Sequence, residues 1–283
     1  MARFNKPAAG SVAIVTGASA GLGRELARGL ARRGHVVLAV ARRGERLADL
    51  AREVTVGGGR IRPLAVDVTA PDAPEHIHQA AVALGPIGWL VNNAGASNFG
   101  RLEEAEVEGE RALVRLNCES VVGLTTRVLP DLVRAGRGIV LQVASSAGLQ
   151  PTPGWAVYGA TKAFVISFSE ALYEELRHSG VSVTALCPGP IATEFFAASG
   201  GAELQPARRR PPWELSAETC AELGLRAALA GRAVAVVGGT TRLLALSGRL
   251  APRALTRFIS GKISLRYVGL PPLPSRPRRL PSI

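Results

Sequence analysis

Cysteine is scarce in this 283-residue chain, and Cys118, Cys187 and Cys220 lie far apart. An odd count with no metal-ligand spacing argues against a disulfide framework or a zinc site and suits a reducing cytosol. No uninterrupted apolar stretch reaches the ~18 residues that a membrane-spanning helix requires. The first ten residues carry Arg3 and Lys6 but no apolar h-region, so no export signal is expected and the chain reads as cytoplasmic or at most peripheral to a membrane. Lysine is nearly absent: Lys6, Lys162 and Lys262 stand against 31 arginines. The net charge of +12 would fit a nucleic-acid or anionic-membrane partner. Yet the arginine bias, beside abundant Ala, Gly and Pro, reads as a genome-wide preference. The chain also lacks a basic recognition helix or a basic sheet interleaved with aromatics, so no specific nucleic acid is expected.

What is present points to a folded α/β protein. A hydrophobic content of 47% excludes wholesale disorder. The short apolar run at 12–15 reads as a strand buried on both faces, and 36–41, 61–66, 89–91, 139–143, 181–186 and 234–237 read as further strands. Helical spacing appears between them at 22–33, 45–54, 73–84, 103–134, 157–178 and 217–230. Strict alternation of strand and helix predicts a single doubly wound parallel sheet of seven strands with helices on both faces. The expected organisation is an N-terminal extension at 1–10, one main α/β domain at 11–239, an amphipathic helical extension at 240–270 and a flexible Pro/Arg-rich tail at 271–283.

Thr16-Gly17-Ala18-Ser19-Ala20-Gly21-Leu22-Gly23 joins the first strand to the first helix. Glycines there permit a tight turn and let the backbone approach a pyrophosphate seated on the helix N-terminus. The spacing G-x-x-x-G-x-G departs from the commoner dinucleotide fingerprint. It resembles the T-G-x-x-x-G-x-G of the short-chain dehydrogenase/reductase family, and the resemblance covers roughly residues 11 to 200.

That resemblance implies a Rossmann fold, a nicotinamide cofactor and a set of site residues. Gly17, Ser19, Gly21, Leu22 and Gly23 would hold the phosphates. Asp67 and Val68, closing the third strand, would meet the adenine. Asn92-Asn93-Ala94-Gly95 matches the family's N-N-A-G, placing Asn93, Ala94 and Gly95 beside the cofactor. Pro188-Gly189-Pro190-Ile191-Ala192-Thr193 resembles P-G-x-x-x-T, so Pro188, Gly189, Ile191 and Thr193 would fix the carboxamide. At the end of the second strand an acidic residue would accept from the ribose and repel a 2′-phosphate. Ala41 stands there instead, followed by Arg42 and Arg43, whose guanidinium groups suit a phosphate, so NADP(H) is favoured over NAD(H).

Tyr158 and Lys162 stand at i and i+4 on one helix face. A nearby ammonium favours the phenolate and brings a tyrosine with an ordinary pKa of ~10 toward working range. Lysine at that position, in a chain that otherwise writes arginine, suggests a need for a compact ammonium. The family's catalytic serine precedes the tyrosine by thirteen residues, which selects Ser145 and leaves Ser146 a bystander. Asn117 matches the family's asparagine that holds a relay water, with Ser120 as the small residue three positions on. The implied catalytic set is Asn117, Ser145, Tyr158 and Lys162, the last two also binding ribose, and no metal. The implied activity interconverts a carbonyl and a secondary alcohol; the rival is a catalytically idle nucleotide-binding sensor on the same fold.

The substrate loop is expected at 195–213, where Phe195, Phe196 and Trp213 either meet an apolar substrate or pack the loop onto the body, and Arg208-Arg209-Arg210 reads as a solvated stretch rather than a site for an acidic group. In 240–260, Leu243, Leu246, Leu250 and Phe258 share a broad face widened by Leu244, Leu255 and Ile259. Arg242, Arg249, Arg253 and Arg257 lie opposite, and Pro252 divides the helix. Such a segment covers a pocket, joins subunits or lies on anionic membrane, the last less commonly. A homodimer or homotetramer built on the two long helices is what the resemblance implies.

Overall fold

The computed structural model describes residues 4–195, 214–239, 241–242 and 252–268. β1 (Val12–Thr16), β2 (Val36–Ala41), β3 (Arg60–Ala65), β4 (Ile87–Asn92), β5 (Gly138–Val143) and β6 (Val181–Pro188) alternate with helices. These are α1 (Gly21–Arg32), α2 (Gly44–Val56), α3 (Ala73–Val82), α4 (Val107–Val114), α5 (Ser120–Arg134) and α6 (Ala156–Glu175). A two-residue pair, β7 (Ile191–Ala192) and β8 (Leu215–Ser216), precedes α7 (Ala217–Leu229), β9 (Val234–Val237) and α8 (Arg253–Val268).

Seven parallel strands form one sheet in the order β3-β2-β1-β4-β5-β6-β9. All five residues of β1 are buried, because it lies between β2 and β4 with helices on both faces. Its alternate side chains divide between two cores. Ala13 and Val15 pack with Leu26, Leu30 and Trp89, and Val12 and Ile14 with Ile77, Leu90 and Leu132. The chain winds outward from β1 to β3, then returns to place β4 on the other side of β1. That reversal opens a crevice at the carboxyl ends of β1 and β4, where doubly wound sheets bind their ligands.

The seven expected strands are those of the main sheet, with ends differing by at most two residues, and among the described residues the short β7–β8 pair is additional. The expected helix over 103–134 is broken. Leu102–Glu104 forms a 3₁₀ turn, α4 starts at Val107, and Arg115–Glu119 widens into a π turn before α5. Asn117, whose side chain bonds the backbone of Ala96 after β4, stands at the centre of this π turn, the kind of local widening that recurs at functional sites. In the expected 240–260 segment, the described helix starts directly after Pro252 and runs on to Val268; 243–251 lie outside the described residues, as do the tail at 271–283 and, of the expected substrate loop, 196–213.

Candidate active site

Thr16 ties the ends of β1 and β4 together. Its Oγ1 accepts from the backbone N–H of Asn93 and of Ala94, both at 3.0 Å, while Asn93 Nδ2 donates to the Thr16 carbonyl at 2.9 Å. Gly17 then turns with φ at +67°, and a Cβ there would stand 2.7 Å from Asn93 Nδ2. Only glycine accommodates both constraints. A Cβ on Gly23 would meet the Gly17 carbonyl at 2.4 Å, so this glycine lets α1 start flush against the turn. Across the crevice, a Cβ on Gly21 would lie 3.2 Å from Thr193 Cγ2. Thus the loop after β1 and the segment after β6 face each other.

The first turn of α1 has no acidic residue, and Ala20 at its N-cap supplies no side-chain hydrogen bond. Its N–H groups therefore retain the partial positive charge that suits a phosphate. Arg43 reaches over this turn and donates to Ser19 Oγ from Nε at 3.3 Å and Nη2 at 3.0 Å. Arg42 turns the other way, 3.9 Å from Asp67 and largely exposed. Asp67 accepts at Oδ1 from the Thr69 N–H and hydroxyl, which with Arg42 hold its carboxyl below the usual range. Val68 packs on the core beneath. Sequence reasoning overlooked Glu194, which lies 2.7 Å from Arg46 and 3.8 Å from Arg43. Its position next to Thr193 was the available signal.

A second group of side chains gathers at the carboxyl ends of β4 and β5. Asn117, on the π turn, accepts from the Ala96 N–H at 3.1 Å and donates to the Ala96 carbonyl at 3.0 Å. The same Nδ2 also donates to Thr161 Oγ1 at 3.0 Å, which donates onward to the Tyr158 carbonyl at 2.8 Å. A Cβ on Gly95 would lie 3.1 Å from Asn117 Oδ1 and 3.4 Å from Lys162 Nζ, so Gly95 leaves room where Asn117 and Lys162 converge. Lys162 donates to the Val143 carbonyl at 2.9 Å and lies 5.8 Å from the centre of the Tyr158 ring. Burial pulls the pKa of Lys162 down to about 8.

Ser145 leaves β5 in extended backbone and accepts from the Ala147 N–H at 3.1 Å, opening the 3₁₀ turn Ser146–Leu149. Ser146 belongs to that turn. A Cβ on Gly148 would meet the Lys162 backbone at 2.5 Å, so glycine lets the turn press against α6. Tyr158 is buried with Ala147 and Leu113. Trp155 and Phe195 rings flank it, each with its centroid 6.0 Å away, and Phe99 lies 5.0 Å beyond Trp155. After β6, a Cβ on Gly189 would meet Thr241 Oγ1 at 2.3 Å. Ile191 enters β7 and packs on the core, while Thr193 Oγ1 accepts from the Phe195 N–H at 3.3 Å. The partners Thr16, Thr161 and Thr241 were not anticipated; Thr161 was within sight, inside the Tyr-x-x-x-Lys spacing.

A glycine-lined crevice at the strand-order reversal, facing a buried Lys–Tyr helix, defines the class of dinucleotide-binding Rossmann oxidoreductases. Residues 11–203 match the family model described as short chain dehydrogenase. The chain belongs to the short-chain dehydrogenase/reductase family. A short chain dehydrogenase of Pseudocercospora fijiensis is 36% identical over 198 residues, covering 69% of this chain and 64% of that protein. Very-long-chain 3-oxoacyl-CoA reductase of Bos taurus is 33% identical over 215 residues, 74% of this chain and 65% of that protein. The match thus spans just under two-thirds of the length of each of these two relatives. Among solved structures, a short-chain dehydrogenase of Sphingobium yanoikuyae in complex with NADPH aligns with TM-score 0.74 at 30% identity, covering 85% of this chain and 93% of that one. One from Burkholderia phymatum in complex with NAD aligns with TM-score 0.78 at 25% identity, covering 86% and 95%.

Proposed function

We propose that this chain is an NADP(H)-dependent oxidoreductase that interconverts a carbonyl and a secondary alcohol. The observation that carries the reading is the convergence on Tyr158 of two buried groups, the Asn117–Thr161 pair that bonds its carbonyl and the Lys162 ammonium 5.8 Å from its ring centre. The cofactor fits the residues present: Gly17 and Gly21 leave the turn free of side chains, the α1 N-terminus lacks a side-chain cap, and Arg43 stands over both. When bound, the nicotinamide supplies or accepts the hydride.

The chain's own residues manage the proton and the substrate oxygen. Tyr158 gives its hydroxyl proton to the developing alkoxide, or takes it back in oxidation. Lys162, held against the Val143 carbonyl, favours the phenolate and would donate to the cofactor ribose. Ser145 donates to the substrate oxygen and stabilises charge as it develops. Asn117 holds the backbone carbonyl of Ala96 and with it the relay toward Lys162. Arg43, with Arg42, would select the 2′-phosphate; Asp67 and Val68 would border the adenine; Asn93, Ala94 and Gly95 would line the nicotinamide side with Pro188, Gly189, Ile191 and Thr193. Trp155, Phe195 and Phe99 make the wall beside Tyr158 apolar, which favours an apolar substrate.

The catalytic domain corresponds to 11–239, with the helical extension at 240–270 and a tail beyond. α4 and α6 border an apolar groove of about 560 Å³ that Leu102, Val107, Val114 and Val157 line. This surface is the proposed contact between copies in a cytoplasmic homodimer or homotetramer. The deciding experiment is a side-by-side fluorescence titration with NADPH and NADH, followed by a screen of apolar ketones for NADPH consumption. Tight NADPH binding with turnover supports the reading. Binding without turnover on any carbonyl would move the chain to the sensor class.

A further inference from the structure

The C-terminal helix packs the wrong way round for an ordinary amphipathic helix. Thr256, Ser260 and Ser264 form one row of i, i+4 positions, and this hydroxyl row is the buried one, at 9%, 3% and 6% exposure. Leu255, Ile259 and Ile263 form the neighbouring row, with Phe258 beside it, and these are 48%, 46%, 47% and 60% exposed. A helix that serves only to cover a core turns its apolar row inward. Here Ser264 Oγ instead donates to the Pro153 carbonyl at 2.7 Å, and Gly261 lies against Pro153. Ser264 fastens α8 to the loop before α6, Thr256 and Ser260 donate to the Pro252 and Arg257 carbonyls of their own segment, and the apolar row faces out.

Charge on this part of the chain is equally one-sided. From Leu223 to Ile283 there are eleven basic residues and no acidic one. The preceding 222 residues carry a net charge of only +1, so this C-terminal stretch holds nearly all of the chain's +12. On α8, Arg253 and Arg257 are exposed, and Lys262 Nζ stands 4.3 Å from the centre of the Phe258 ring, its stem lying along the apolar row.

We propose that α8 docks on an anionic lipid surface, its apolar row entering the headgroup boundary and its cations pairing with lipid phosphates. A second copy seated symmetrically on this face would bring Arg253, Arg257 and Lys262 against their own equivalents with no carboxylate on α8 to relieve them. A nucleic acid would use the cations and leave Leu255, Phe258, Ile259 and Ile263 in water. Lipid uses both. No described helix is long and apolar enough to cross a membrane, so the contact is peripheral. Because α8 is tied to Pro153, it seats the loop that leads to Trp155 and Tyr158 beside whatever α8 binds.

The test is sedimentation of the full chain with phosphatidylcholine vesicles and with phosphatidylcholine–phosphatidylglycerol vesicles, at low and high salt. It requires neither cofactor nor substrate, so its outcome is separate from that of the proposed activity. Binding to the anionic vesicles alone, weakened by salt, supports the proposal. F258E/I263E should reduce that binding at least roughly tenfold while leaving thermal unfolding unchanged. R253E/K262E, altered only at exposed cations, should reduce it too. No binding by the native chain overturns the proposal, as does undiminished binding by both variants. A fall from dimer to monomer in F258E/I263E, with no vesicle binding by the native chain, would assign the face to a second copy. Tighter binding to a DNA duplex than to vesicles, unchanged in F258E/I263E, would assign the charge to nucleic acid; either result overturns the lipid reading.

Discussion

Asn117 Nδ2 donates to Thr161 Oγ1 at 3.0 Å, joining the π turn to the helix that carries Tyr158 and Lys162. The same amide clasps both backbone groups of Ala96, beyond the end of β4. Asn117→Ala leaves the half-buried Ala96 N–H and carbonyl without this partner, each orphan costing about 1–3 kcal/mol where it stays dry and less where water reaches it. Urea unfolding should show a combined loss of at most about 6 kcal/mol for the two orphans. Turnover should fall at least roughly tenfold, because the relay loses its anchor. Unchanged turnover in a folded Asn117→Ala protein would exclude Asn117 from the proton path.

Tyr158 offers a cleaner separation of stability from chemistry. Its ring is buried among Ala147, Trp155 and Phe195, so Tyr158→Phe keeps the packing and removes only the hydroxyl. Positioned acid–base groups contribute roughly 10²–10⁴ in rate, and kcat should fall by that factor. The NADPH dissociation constant should stay within about fivefold, since one neutral hydrogen bond is worth about 1 kcal/mol. Steady-state kinetics and a titration on the same preparation check both halves. Turnover near the native level would require another proton donor.

Arg43 and Arg42 are neighbours in sequence that point to different partners, Ser19 of the phosphate loop and Asp67. Arg43→Ala should therefore weaken NADPH binding more than Arg42→Ala does, by about ten- to a hundredfold, as expected for loss of a charge-assisted bond. NADH binding should change little in either variant. Arg42→Asp should shift preference toward NADH by adding a carboxylate beside the ribose. Calorimetric titration of both cofactors against the three variants decides the ranking. Equal losses in the two alanine variants would mean that the guanidinium groups share the phosphate.

Much of this architecture was legible because buried parallel strands are short apolar runs that glycine turns punctuate, as at Val12–Thr16 before Gly17. The π turn at Arg115–Glu119 was not legible, because one looser turn leaves a helix's composition and most of its spacing intact. Tertiary bonds from Asn117 accompany it, and those are invisible in a local pattern. For Arg42 and Arg43 the sequence named a pair, and only the direction of each side chain separated them. The helix after Pro252 shows the same limit from the other side. Periodicity identifies an apolar face, but not which side of the helix the body of the protein occupies.

Lys162 makes a prediction about stability that runs against its importance. It is 5% exposed, its ammonium donates to the Val143 carbonyl, and burial lowers its pKa from 10.5 to about 8. In the unfolded chain the group retains its ordinary value. Below pH about 8 both states hold the proton, and the native state bears the full cost of a buried charge. Between about 8 and 10.5 the unfolded chain still binds a proton that the native protein has released, so this lysine makes stability rise with pH across that window. At ~1.4 kcal/mol per unit, the effect is roughly 3 kcal/mol. Lys162→Met fills a similar volume without the charge. It should be more stable than the native chain at neutral pH by up to that amount, less the lost bond to Val143, and the gap should close toward pH ~10. Because other groups titrating there are common to both proteins, the difference between their urea-unfolding curves isolates Lys162. Turnover should be lost at every pH, since Tyr158 no longer has its cation. A Lys162→Met protein less stable than the native chain at neutral pH, or one whose stability difference does not change with pH, would show that this ammonium is well solvated in its site and costs the fold nothing.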